Sequence, residues 1–145
     1  MDGLKLMALD ASDLTVISAQ MQDAITKPDQ IDYAPGAKRL TIVANRFAWD
    51  AEYGARSTTH ERRKTALSFA RVTGVRTIGI RRGDDSQALS LLAIRFHPGE
   101  APAGTIELIF ADDAAIRLDV EVIEAQMADL GAAWETRFKP RHPAG

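Results

Sequence analysis

The polar groups best placed for chemistry fall in Asn45-Arg46-Phe47-Ala48-Trp49-Asp50, on or just past a run of alternating apolar residues. An amide such as Asn45, if it faces a core there, must be hydrogen-bonded or its burial is costly. Gln22-Asp23, at the end of a helical pattern, is a second polar pair. Asp23, Asn45, Arg46 and His60 together would form a pocket for an anionic metabolite, with Asp23 or His60 as base and Arg46 as anion clamp. Against that stands the commoner role of buried amides and arginines, which is to satisfy loops and strand ends.

The other chemical feature is charge. From Arg56 to Arg82 there are eight Lys and Arg against the single acid Glu61, a local charge of +7, which leaves −9 on the rest of a chain whose net charge is −2. Such a strip, read as lying over two adjacent strands and their entry loop, can attract phosphates, nucleic acid or an acidic protein surface. Arg62, Arg63 and Lys64 are its densest point, with Arg71 and Arg81 in support. The opposing reading is that a wet strand face simply needs charge, and that acids such as Glu121, Glu124 and Asp129 pair with these arginines inside the fold. Nucleic acid is the weaker partner class, because no aromatic residues are interleaved with the arginines as stacking platforms.

Several chemistries are excluded. The 145 residues contain no cysteine, which removes disulfides, thiolate metal sites and thiol catalysis. His60, His97 and His142 are too far apart in sequence to suggest a metal pair, so neither a metal nor another cofactor is expected. Gly99-Glu-Ala-Pro-Ala-Gly104-Thr105 imitates a phosphate loop but has Thr105 where the lysine belongs, and a strand follows. No run approaches the ~20 apolar residues that span a bilayer. With an early acid and no secretory leader, the expected address is the cytoplasm.

The elements follow from apolar spacing. Leu4, Leu6 and Ala8 alternate in an opening strand; Asp10 and Asp13 have the spacing of a cap, and Leu14, Ile17, Met21 and Ala24 predict a helix over 12–25. Pro35-Gly36 presets a type II turn between Ile31–Tyr33 and the run Lys38–Trp49, whose apolar residues on both faces predict a central strand. A strand over Lys64–Val72 comes next, with Gly74 as a bulge or tight turn. Val75–Arg81 and Ala88–Phe96 read as a hairpin closed by Gly83-Asp84-Asp85. Thr105–Phe110 and Ile116–Val120 are strands, and Ile123, Met127, Leu130 and Trp134 form the stripe of a closing C-terminal helix. The sum is one α+β domain over 1–134 with a loosely held basic tail over 135–145. Its mainly antiparallel sheet of about seven to eight strands is either a pleckstrin-homology-like barrel plugged by the last helix or an open two-layer sheet, and the open form leaves an edge for homo-oligomerisation.

The residues also resemble a known family. Leu14 to Ala24 with Ser18, Gln22 and Asp23, Asn45-Arg46-Phe47-x-Trp49, Arg62-Arg63 with Leu67-x-Phe69-x-Arg71-Val72, Leu91-Leu92-Ala93-x-Arg95-Phe96, Pro98-Gly99-x-Ala101-Pro102 and Asp129-Leu130-Gly131 with Trp134 are similar to the bacterial family called domain of unknown function 2948. The resemblance covers nearly the whole chain and implies a stand-alone bacterial cytoplasmic domain, with no catalytic residue to carry over. The reading that results is a non-catalytic module binding a protein or a small anionic ligand through the strip at 56–82, and not a membrane. The small enzyme with its Arg46 clamp is the alternative, and nucleic-acid binding the second.

Overall fold

The computed structural model describes residues 3–47 and 62–131. In chain order these form β1 (Lys5–Ala8), α1 (Ala11–Met21), β2 (Ile25–Thr26), β3 (Ile31–Ala34), β4 (Arg39–Phe47), β5 (Arg62–Phe69), β6 (Val72–Ile78), β7 (Leu89–Pro98), β8 (Gly104–Phe110), β9 (Ala114–Val120) and β10 (Ala125–Asp129). The strands pair in the order β1-β10-β5-β4-β2-β7-β8-β9-β6, with β3 also on β4. All pairs are antiparallel.

This sheet folds over on itself as two halves. β2, only two residues long, pairs with both β4 and β7 and so carries the sheet from one half to the other. The inner faces share one core, in which Ile42 and Leu67 of the first half meet Leu91, Leu108 and Phe110 of the second around a gap of about 10 Å³. Alternation puts these residues inside: β4 buries Leu40, Ile42, Ala44 and Arg46, and β9 buries Ala114, Ile116, Leu118 and Val120.

α1 packs against β7 and β1. Asp10 caps it by accepting the Asp13 amide (2.8 Å), and Asp13 accepts the Leu9 amide in return (3.0 Å), so two orphan donors are satisfied reciprocally. Leu14, Ile17 and Met21 are its buried stripe. The helix stops four residues short of the expected end because Asp23 adopts a left-handed conformation (φ 69°) and gives its amide to the Leu91 carbonyl (2.7 Å).

The expected α+β class, with its barrel alternative and closing C-terminal helix, is overturned. The protein is mostly β, the sheet is open, and the described residues contain one α-helix. The segment expected as the last helix contains β10, which lies between β1 and β5. Ile123 and Met127 misled because a spacing of four satisfies a two-residue repeat as well as a helical one. Ala125, Gln126 and Met127 are also good helix formers, a preference that pairing on both sides overrides. The expected barrel fails because the strand order ends at β1 and β6, which do not pair with each other, and β3 pairs with β4 alone.

The hairpin expected between Val75–Arg81 and Ala88–Phe96 is likewise absent, since β6 pairs with β9 and β7 with β8 and β2. Gly74 does mark a bulge, at the register shift between Val72 and Gly74. After Pro35-Gly36 the left-handed residue is Lys38 (φ 53°), at the end of a short 3-10 turn. Trp49, Trp134 and the tail at 135–145 lie outside the described residues.

Gly104 is required by contact. A Cβ on Gly104 would sit 2.5 Å from Phe96 Cζ and 2.6 Å from the His97 carbonyl oxygen. Gly104→Ala must therefore push β7 and β8 apart where Pro98 faces Gly104, and is expected to cost about 1–3 kcal/mol. Urea denaturation of the two proteins checks this through the shift in midpoint.

Candidate functional site

The structure puts two residues of the proposed metabolite pocket, Arg46 and Asn45, on opposite faces of one strand. Arg46 is 4% exposed, on the inner face of β4, while its neighbour Asn45 faces outward and is exposed. Asp23 is exposed in the turn after α1, and His60 lies outside the described residues.

Each nitrogen of the Arg46 guanidinium has an acceptor. Its Nε and Nη2 donate to Oδ1 and Oδ2 of Asp129 (2.7 and 2.5 Å), and Nη1 donates to the Phe47 carbonyl (3.1 Å). Asp129 is 8% exposed and also accepts from Thr65 Oγ1 (2.7 Å) and the Leu4 amide (2.8 Å). Burial alone would raise its pKa, but the bonds from Arg46, Thr65 and Leu4 outweigh it and hold the carboxyl below its ordinary value. The carboxylate thus ties together four neighbouring strands, or their immediate ends: β1, β10, β5 and β4. Gly3 crosses directly over Asp129, where a Cβ would strike its side chain. A carboxylate already accepting four bonds is poorly placed to serve as a base, and a guanidinium already paired is poorly placed to clamp a substrate. The sequence alone points to Arg46 but puts Asp129 on a helix; the signal for the strand is the alternation Ala125, Met127, Asp129.

The basic strip is divided between the halves. β5 and β6, consecutive in sequence, are on different halves of the sheet, so the strip does not run over two adjacent strands. Arg71, Arg76 and Arg81 form exposed pairs with Glu124 (3.4 Å), Asp119 (3.0 Å) and Asp84 (2.8 Å). Arg62 and Lys64 stand exposed on the outer face of β5, and Arg63 between them points to the inner side at the end of the strand. The Arg62 guanidinium stacks over the Phe47 ring at 4.5 Å.

Register extends this outer face. Lys5, Ala128, Ala66 and Val43 form one row across β1, β10, β5 and β4, and Lys64 stands opposite Asn45 in another. Arg39 joins them from β4, its Nη1 donating to Ser68 Oγ (2.8 Å). Four cations (Lys5, Arg39, Arg62, Lys64) therefore share a face on which the strands supply one acid, Asp32 of β3. Lys5 and Arg39 are distant from the strip in sequence, and pairing alone brings them here.

The outer face of the second half neutralises most of its own charge. Glu107 lies between His97 (2.8 Å) and Arg117 (3.3 Å), whose hydrogen bonds hold it below the usual carboxylate range, and Asp119 pairs with Arg76. Among the described residues no group of three His, Asp or Glu is gathered as a metal site, and no helix is long and apolar enough to cross a membrane.

No curated protein and no solved structure matches the chain significantly. A family model does match, over residues 4–142, which is almost the whole sequence. The chain therefore belongs to the family described as protein of unknown function (DUF2948).

Proposed function

We propose that the protein is a non-catalytic binding module whose basic outer sheet face takes an acidic protein surface, with Arg62 and Lys64 as central contacts. The observation that carries this is the concentration of four cations against one acid on the face formed by β1, β10, β5, β4 and β3. Between the cations lie short side chains, Ala66, Ser68, Thr41 and Val43, so a partner can approach the sheet closely. A single-sign patch of this kind speeds encounter with an oppositely charged surface and rejects like-charged ones. Arg63 stands at the end of β5 beside this face; Arg71 and Arg81, held by Glu124 and Asp84, have lesser roles. A nucleic-acid partner is disfavoured because the one aromatic ring that the described residues put on the face, Phe47, is already covered by Arg62.

The test is anisotropy of a fluorescein-labelled polyglutamate peptide at 50 and 200 mM salt, beside single-stranded RNA and DNA of matched charge. The peptide should bind, weaken with salt, and bind about tenfold or more weakly to Arg62→Glu/Lys64→Glu. Both sites are exposed, so the variant should keep its denaturation midpoint to within about 0.5 kcal/mol. Absence of peptide binding at 50 mM salt, or binding indifferent to the reversal, overturns the proposal. Preference for the oligonucleotides would replace the acidic protein by nucleic acid.

A further inference from the structure

Two of the sheet's three edge strands among the described residues, β3 and β6, border a cleft of about 530 Å³. At one end they are joined, because the Val72 amide donates to the carbonyl of Lys38 (2.9 Å), just past the turn that follows β3. From that point β3 runs back toward Pro28 while β6 runs on toward Ile80, and the space between them is lined from Pro35 to Pro28 on one side and from Val75 to Gly83 on the other.

Its walls are core-type positions left partly open. Ile31 and Tyr33 stand opposite Ile42 and Leu40, and Val75 and Thr77 opposite Leu118 and Ile116, so all four belong to the inner face. None is buried, although Leu40 and Ile116 at the floor are 1% and 0% exposed. The acid on the rim, Asp32, belongs by alternation to the outer face. The cation on the rim is Arg82, which has no hydrogen bond or ion pair among the described residues. Its loop is held in shape by its own side chains: Gln87 accepts the Arg81 amide and donates to the Gly79 carbonyl (both 2.8 Å), and Asp84 binds Arg81 and the Ser86 amide (2.8 and 2.9 Å). Arg81 is thus spent on the loop while Arg82 is left over.

We infer that this cleft binds a small molecule with an apolar body and a single anionic head, the body lying between β3 and β6 and the head on Arg82. The volume falls in the range of about 300–1,000 Å³ typical of small-molecule sites, and apolar walls with one convergent charge are their usual composition. A guanidinium with all its donors free matches a carboxylate or sulfonate in the bidentate manner. The site is distinct from the basic outer face and does not rest on it.

The probe is 1-anilinonaphthalene-8-sulfonate, an apolar bicycle with one anionic group, titrated into the full chain and read by fluorescence. Binding should saturate at one equivalent and be displaced by decanoate, with decanol at least about tenfold less effective. Arg82→Glu at the exposed rim and Thr77→Trp within the cleft should each weaken it by about tenfold or more. Arg62→Glu/Lys64→Glu should leave it unchanged, which separates this site from the outer face. Non-saturable binding, indifference to both Arg82→Glu and Thr77→Trp, or equal displacement by decanol and decanoate would overturn the inference.

Discussion

Asp129→Ala is expected to destabilise the protein by about 3–5 kcal/mol, a large part of a typical domain's total stability. The loss comes less from the attraction removed than from what is stranded: the Arg46 guanidinium, 4% exposed, keeps its charge but loses its carboxylate partner, and Thr65 and the Leu4 amide lose their acceptor. Removing both charges together as Arg46→Met/Asp129→Leu should recover most of the deficit, because apolar groups of similar size leave no unpaired ion. Chemical denaturation of the wild type, both single variants and the double variant gives the coupling directly; a double variant no better than the singles would contradict this account.

The same pair fixes an acid dependence. Asp129 has its carboxyl pKa lowered on folding, so its contribution to stability is complete above the unfolded value, near 3.8, and is lost as pH falls through the still lower folded value. Denaturation midpoints should therefore fall below about pH 4, and the fall should be shallower in the double variant.

The second large effect is at Phe69. Its ring is 0% exposed on β5, between Leu40 of β4 and the small Ala125 of β10. Phe69→Ala leaves a cavity that strands paired on both sides cannot close, at a cost of about 3–5 kcal/mol. The contrast is Leu92→Ala on β7, 45% exposed, expected within about 0.5 kcal/mol. Measured side by side, near-equal values for the two would mean that the core does not converge on β5.

These residues also show what sequence makes legible. Alternation placed Leu40, Ile42 and Ala44 on one face of a central strand, and the Asp10–Asp13 spacing placed the start of the helix, because both signals are local. Ser18 accepting the Ile94 amide (2.9 Å) has no local signature at all. The same limit governed β10: Ala125–Asp129 contains nothing that announces two strand partners, and one of them is at the far end of the described chain. The expected pairing of β6 with β7 assumed neighbours in sequence are neighbours in space, whereas β6 pairs with β9. The basic face was only half visible for that reason, Arg62 and Lys64 standing in a cluster and Lys5 and Arg39 arriving by register.

The pairing of Lys5–Ala8 with Ala125–Ala128 also governs the order of assembly during synthesis. β5 waits with one edge open, and Arg46 without its carboxylate, until residue 129 has emerged from the ribosome. Closing so long a loop carries an entropic cost that local pairing does not repay. The hairpin of β8 and β9, joined by Ala111–Asp113 and closed by two left-handed aspartates, can form early, while the half that carries the basic face is completed last. A nascent chain halted before β10 therefore exposes the β5 edge, which is the species a chaperone would meet.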